Sequence, residues 1–268
     1  MGRQRTGAIR VGIGGWTYEP WRQTFYPPGL PQRLALHHAS RQLTAIEINS
    51  TFYRAPAPGT YRKWRADTPE GFVFSVKAPR YVTHRKQLAE AGEAARRFID
   101  GALHLEDRLG PLLWQLPPTR TFDAGALGPF LDALPAEAGG RPLRHVLEVR
   151  HESFLCEAYV ALARAHGVAT VCTDSPRYPN LADITGPFVY ARLMNARPDL
   201  ASGYPDEALD RWADRARAWS AGARPEGLPC VSATPAPVQA RDVYVFFIDG
   251  AKERAPAAAR GLIERLVR

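Results

Sequence analysis

The sequence predicts an α/β fold and, within that class, a TIM-like (β/α)8 barrel of eight parallel strands. Three observations carry this expectation. Eight short segments rich in β-branched and aromatic residues recur along the chain. Stretches with helical apolar spacing separate most of them, and strands joined through helices pair in parallel. Eight such units in a chain of 268 residues match the length of a barrel of this kind. A doubly wound open sheet is the rival. It would carry a phosphate-binding glycine loop after its first strand. Gly12, Gly14 and Gly15 lack that spacing: the third glycine of G-x-G-x-x-G falls on Thr17, and no acidic residue follows about 20 positions on.

The elements follow in order. Residues 10–14 read as the first strand, running into an aromatic glycine turn at 15–21, and residues 34–43 as a helix. Residues 45–53, AIEINSTFY, open on the second strand. Alternation places Ala45, Glu47 and Asn49 on one face and Ile46 and Ile48 on the other. A carboxylate and an amide inside an apolar strand are costly to bury without partners, so they belong to a polar network or a site. A helix at 61–66 stops at Thr68-Pro69. The third strand, 72–77, ends in Lys77, and a loop with Tyr81, Thr83 and His84 follows. A long helix is expected over 89–109, ended by Gly110-Pro111, then a fourth strand at 112–115, a helix at 128–134 and a turn at Gly139-Gly140. The fifth strand, 145–149, closes on Arg150, His151 and Glu152. A helix at 159–166 is capped by Gly167. The sixth strand, 169–173, ends at Asp174, and the seventh spans 188–192. A helix at 205–219, an eighth strand at 242–247 and a last helix at 255–267 complete the set. The whole chain, 1–268, is expected to be a single barrel domain. Residues 1–8 form a flexible basic leader, and 222–240, rich in Pro and Ala, a surface loop or insertion.

Composition bounds the function. Apolar residues make up 45% and charged residues 23%, with a formal net charge of +8. That balance suits an anionic partner. Without a basic block or an aromatic-basic repeat it does not point to nucleic acid by itself. Cys156, Cys172 and Cys230 are far apart and form no C-x-x-C, which excludes a zinc knuckle and a thioredoxin-like motif. No apolar run resembles a signal peptide or a bilayer span, so the expected location is the cytoplasm, with no membrane association. Gly2 and Thr6 formally match a myristoylation pattern, and Asn49-Ser-Thr51 a glycosylation sequon; the leader and strand-end settings argue against both.

The strand ends hold the chemistry. In such a barrel the active site lies at the C-terminal ends of the strands. Those ends carry Trp16, Glu47 with Asn49, Lys77, Gln115, Glu148 with Arg150 and His151, Asp174 and Arg192, whereas the opposite ends are bland. Singly, each has an ordinary explanation: a solvated lysine, an amide serving a loop, an aspartate capping a turn. Their recurrence at equivalent positions points to one ligand site or one self-neutralising ion network.

Several motifs resemble the domain of unknown function 72, or YecE-like, family. They are Gly14-Gly-Trp-x-Tyr-x-x-Trp21 with Phe25-Tyr-Pro27, and Glu47-Ile-Asn-Ser-Thr-Phe-Tyr-Arg54. Thr68-Pro69, Lys77 with Thr83-His84, the run from Leu109 to Pro118 and Glu148-Val-Arg-His151 complete them. The resemblance covers nearly the whole chain. It implies a TIM-barrel-like fold and site positions at Glu47, Asn49, Lys77, His84, Gln115, Glu148, Arg150, His151, Asp174 and Arg192; it implies no reaction. Two places depart from the pattern. The family's His-Gly after the seventh strand is replaced by Met194-Asn195, and its Asn pair after the eighth by Ile248-Asp249.

Two functions are expected from different classes. One is an enzyme without a redox cofactor, acting on a small anionic or sugar-like molecule by acid–base chemistry. Hydrolysis is favoured over isomerisation or lysis because it needs least. Glu47, Glu148, His151, Lys77 and Asp174 are its catalytic candidates, and Trp16, Asn49, His84, Gln115, Arg150 and Arg192 its ligand-binding ones. A divalent metal on Glu47, Glu148, Asp174 and His151 is the lesser variant, since no compact ligand spacing exists. The alternative is a non-catalytic module that binds an anion or a nucleic-acid end, with Trp16, Tyr18, Trp21 and Tyr53 stacking a sugar or base or else simply packed.

Overall fold

The computed structural model describes residues 6–268. Eight parallel strands close into a barrel: β1 (Ile9–Gly14), β2 (Ala45–Ile48), β3 (Val73–Lys77), β4 (Leu109–Gln115), β5 (His145–Glu148), β6 (Ala169–Thr173), β7 (Phe188–Leu193) and β8 (Asp242–Phe247). Each strand pairs with its neighbours in sequence, and β1 closes on β8 with Ile9 opposite Val243 and Ile13 opposite Phe247. The outer helices are α1 (Ala35–Gln42), α2 (Pro58–Asp67), α3 (Gly92–Ala102), α4 (Ala124–Asp132), α5 (Glu157–Ala165), α6 (Asp206–Ser220) and α7 (Ala255–Leu266). Their buried positions keep helical spacing, as with Ala94, Ala95, Phe98, Ile99 and Ala102 of α3. The β6–β7 connection, residues 174–187, holds no helix.

Alternation along the strands builds two separate cores. Ile46, Ile48, Phe74, Val76, Trp114 and Leu147 face outward and pack with the helices. Ala45, Leu113, Val146, Ala169, Val171, Phe188, Tyr190, Tyr244 and Phe246 fill the barrel interior. Tyr190 lies between Tyr244 and Phe246, with ring centroids 6.3 and 5.1 Å away. Gly12 makes room for this filling: a Cβ there would lie 1.9 Å from the Ala45 carbonyl oxygen and 3.3 Å from the Phe246 ring.

The structure moves several sequence-based boundaries. The helix expected over 89–109 divides into a 3-10 turn (Leu88–Ala91), α3 and a second 3-10 stretch (Leu103–Arg108). Glu106, at φ 48°, breaks the helical path. Gly110-Pro111 is therefore not a helix stop but part of β4. There the register with β3 shifts between the pairs Phe74–Leu109 and Val76–Leu112. A proline is tolerated at such an irregularity because the ladder does not need its missing N–H. Gly110 is required because a Cβ would meet Val73 Cγ1 at 2.3 Å. Helix α4 starts earlier than the pattern predicts because Asp123 caps it, accepting from the N–H groups of Gly125 and Ala126.

Of the expected leader, residues 1–5 lie outside the described residues. Its last part is held in place: Gly7 N–H donates to the Ser220 carbonyl and Ala8 N–H to Asp242 Oδ1, both at 2.9 Å. Residues 222–240 form no helix or strand, as expected, yet they are pinned to the β6–β7 connection. Asp183 accepts from Val231 and Ser232 N–H at 2.8 and 3.0 Å, and Ala182 N–H donates to the Pro229 carbonyl. Among the described residues no helix is long and apolar enough to cross a membrane.

Candidate active site

The inward faces of β2, β3, β4, β5 and β7 end in the polar residues Glu47, Lys77, Gln115, Glu148 and Arg192 at the barrel mouth. Glu47 on β2 is fully buried. Arg192 on β7 grips it with two parallel bonds, Nε to Oε2 at 2.9 Å and Nη2 to Oε1 at 2.8 Å. The third guanidinium nitrogen, Nη1, donates to Glu148 Oε2 of β5 at 2.5 Å. Arg150 holds the other Glu148 oxygen, through Nε and Nη2 at 2.8 Å. Four charged side chains from 145 residues of sequence thus form one chain of ion pairs. Such forked pairing fixes orientation as well as charge. Burial works to raise the Glu47 carboxyl, but the Arg192 guanidinium, then Lys77 and the Tyr190 hydroxyl, outweigh it and hold the group below the usual carboxylate range. Burial likewise opposes the Arg192 charge, and the two carboxylates overcome it.

Lys77, at the end of β3, faces the same space and is 8% exposed. It differs from the arginines in having no side-chain hydrogen bond or ion pair among the described residues; its Nζ stands 4.1 Å over the Phe52 ring. Burial, with the Arg192 charge next, pushes its pKa down to about 8, although Glu148 and Glu47 pull the other way. Gln115 is on β4, in register with Glu148. It is buried, and its Oε1 has no hydrogen-bond partner among the described residues. Asn49 stands beside Gly14, where a Cβ would come within 2.8 Å of Nδ2. His84 packs edge-on to Phe52 and bonds to Thr83 through Nδ1. Burial, then Arg80, Lys77 and Arg150, lower its pKa.

The remaining predicted residues lie apart from this cluster. Asp174 accepts from Met194 N–H and Tyr204 hydroxyl at 2.6 and 2.8 Å and so fastens the loop after β7. Burial raises its pKa against those bonds. His151 caps the 3-10 turn Glu152–Phe154, its Nδ1 accepting from Ser153 N–H. Trp16 turns outward onto Trp64 of α2, centroids 5.2 Å apart, and Trp21 is fully buried, so both pack rather than stack a ligand. Tyr53 stays 76% exposed. The metal quartet of Glu47, Glu148, Asp174 and His151 is therefore not assembled. Among the described residues no three His, Cys, Asp or Glu side chains gather as metal ligands.

Sequence reasoning missed Tyr190, Ser75, Tyr178 and Lys252. Tyr190 donates to Glu47 at 2.8 Å and shares a 2.7 Å bond with Ser75. The signal was available: Ser75 and Tyr190 each lie two residues before a named strand-end cation, on the same face. Tyr178, in the β6–β7 connection, covers Arg150 at 4.2 Å and accepts from its Nη1. Lys252 follows β8, lies over Tyr18 at 4.8 Å and is close enough to feel the Glu47 charge. Asp249, where the family pattern has an asparagine, pairs with Arg177 across the two loops.

The family model for "Protein of unknown function DUF72" matches residues 10–268. UPF0759 protein YunF of Bacillus subtilis strain 168 is 27% identical over 117 residues, 41% of this chain and 40% of that protein, so the match spans less than half of that relative. The crystal structure of the DUF72 family protein TM1631 from Thermotoga maritima MSB8 aligns at a TM-score of 0.73 with 22% identity, covering 97% of this chain and 100% of that one. That of the DUF72 family protein EF0366 from Enterococcus faecalis V583 aligns at 0.72 with 15% identity, over 97% and 96%. These likenesses carry the fold. With the family model spanning all eight strands, the chain belongs to the DUF72 family.

Proposed function

We propose that the barrel mouth binds a small anionic or sugar-like molecule and acts on it by proton transfer, without a redox cofactor. Lys77 is the group that gives or takes the proton. One observation carries this reading: among the described residues the Lys77 amine has no hydrogen-bond or ion-pair partner, and its pKa of about 8 lies near the working pH, where a general acid or base is most effective. Glu47 fits that role poorly, because Arg192 holds it ionised and both its oxygens are bonded. The carboxylates instead support the cations in place. Glu47 and Glu148 face Arg192, Arg150 and Lys77, which leaves the mouth with surplus positive charge for an anion. Gln115 and Asn49 offer amides to hydroxyl groups. Among the reactions this supports, hydrolysis needs only water besides the substrate.

A second reading rests on the complete pairing of both carboxylates: the mouth captures an anion, or a nucleotide end against the exposed Tyr53, and releases it unchanged. A thermal-shift screen against phosphorylated metabolites, sugars, nucleotides and divalent metals, followed by turnover assays on the hits, separates the two. A native-state ligand raises the melting temperature by mass action, about 2.7 kcal/mol at one hundred times Kd. Phosphorylated sugars are expected to raise it in the wild type, and Lys77→Met is expected to abolish turnover. Binding that survives with no turnover of any hit favours capture, and no response to any anion sinks both.

A further inference from the structure

Lys77 is more than a proton carrier in its geometry. A lysine kept at a mouth only for charge would be expected to form ion pairs, as Arg192 and Arg150 do. Lys77 instead stands at the end of a rigid strand with its backbone carbonyl fixed by the Thr51 hydroxyl at 2.7 Å and its amine over the face of Phe52. It is almost buried, near enough to Arg192 and Arg150 to feel their charges, and, among the described residues, free of any carboxylate within ion-pair distance. An apolar wall and neighbouring cations are the surroundings that turn a lysine amine into a nucleophile at neutral pH. On the neighbouring strand, two residues beyond Leu113, the register partner of Lys77, the Gln115 Oε1 lies buried without a donor among the described residues, a polar atom that a ligand hydroxyl would satisfy.

We infer that Lys77 forms a Schiff base, and that the substrate class is a small aldehyde or ketone carrying an anionic group and a hydroxyl. The inference rests on the anion-binding reading given above. The neutral amine forms a bond from Nζ to the carbonyl carbon while the C=O π pair moves to oxygen, which takes a proton. The carbinolamine then loses that oxygen as water with a second proton, and the nitrogen lone pair closes the C=N bond. Counted from the ammonium form, lysine and carbonyl give iminium and water, with no net gain of protons and no oxidant or reductant. The other rim groups have separate parts. Arg150 and Lys252 draw the anion, and Gln115 accepts from the hydroxyl. The Glu47–Arg192–Glu148 chain keeps the cations fixed.

The chain makes the test clean, because it has only four lysines, Lys63, Lys77, Lys86 and Lys252, and Lys63 and Lys86 are exposed controls. The probe is pyridoxal 5′-phosphate, an anionic aldehyde with a ring hydroxyl, followed by sodium borohydride, which reduces any imine to a stable amine. Peptide mass spectrometry at pH 7.5 should show one phosphopyridoxyl group on Lys77, formed about tenfold or more faster than on Lys63 or Lys86. Inorganic phosphate should slow the labelling of Lys77 and not of Lys63. The rate at Lys77 should level off near pH 8. Lys77→Arg, which keeps the charge, should lose the label while still being stabilised by phosphate. Label spread evenly over the lysines, or a phosphate-dependent rise in melting temperature with Lys77 unlabelled, overturns the covalent step and leaves anion binding standing. No label and no phosphate response overturn both.

Discussion

The mouth of the barrel has two halves that differ in how their charges are satisfied. On the β2, β5 and β7 side, Glu47, Arg192, Glu148 and Arg150 are bonded to one another, and Tyr190 and Ser75 secure them from below. On β3 and β4, which lie between β2 and β5, Lys77 and Gln115 are also buried and have no such partners among the described residues. Burying a polar group without compensation destabilises a fold, and a bonded network roughly breaks even. The paired half therefore explains itself as architecture. The unpaired half lowers the stability of the fold, and this is the mark of groups kept for a ligand.

Removing the centre of the paired half should have the largest effect. Arg192→Met leaves the buried Glu47 without its ion-pair partner and Glu148 with Arg150 alone, and breaking a buried pair in this way costs about 3–5 kcal/mol. The loss is measured by urea unfolding at pH 7. Its pH dependence identifies the cause. In the wild type Glu47 has a depressed pKa, so its contribution is present above the unfolded value, near 4.3, and fades as pH falls through the folded one. In the variant only Lys77 and the Tyr190 hydroxyl still oppose burial, the larger influence, so the balance moves toward the protonated acid. The gap between the two proteins should therefore narrow below about pH 5. A gap that stays constant with pH would mean lost packing and not an exposed charge conflict.

The unpaired half should respond with the opposite sign. The folded-state pKa of Lys77, about 8, lies below its unfolded value near 10.4, so the native state binds fewer protons between those two pH values. Stability then rises with pH across that window, and below about pH 8 the native state bears the full cost of the buried charge. By that shift the cost is about 3 kcal/mol, offset by about 1 kcal/mol of attraction to the Phe52 ring. Lys77→Met should stabilise the protein by about 1–3 kcal/mol at pH 6.5 and by less at pH 9.5, again read from urea unfolding. Destabilisation at pH 6.5 would place Lys77 in the paired half and dissolve the contrast.

The same contrast shows what a sequence can disclose. Period-two alternation is a backbone property, so the strands and the inward faces of Glu47, Lys77, Gln115, Glu148 and Arg192 were legible from residue order alone. Who bonds to whom was not. Glu47 and Arg192 sit 145 positions apart, and their meeting depends on barrel closure and on Gly12 and Tyr190 setting the interior width. Asp174 and His151 looked equivalent to Glu148 in the chain. They lie just past a strand end, where the backbone leaves the alternation and short polar side chains turn to nearby loop N–H groups. Trp16 failed for a related reason: after Gly15, at φ 76°, the strand parity no longer applies, and the indole packs outside the barrel.

The smallest expected effect tests Gln115 within that contrast. Its buried Oε1 has no donor, so replacing the amide by a side chain of similar volume deletes an unsatisfied acceptor without opening a cavity. Gln115→Leu should stabilise the protein by about 1 kcal/mol, which for a domain of this size is a melting temperature higher by about 2–4 °C. Anion binding should persist, since the cations are untouched, and a ligand hydroxyl should lose its acceptor. The discriminating measurement is a pair of phosphorylated ligands that differ by one hydroxyl. In the wild type the hydroxylated member should bind more tightly, and in Gln115→Leu the two should converge. A variant that loses stability would instead reveal a donor bonded to Gln115 in solution. The amide would then belong with Glu47 and Arg192, and Lys77 would stand alone as the group whose burial only a ligand explains.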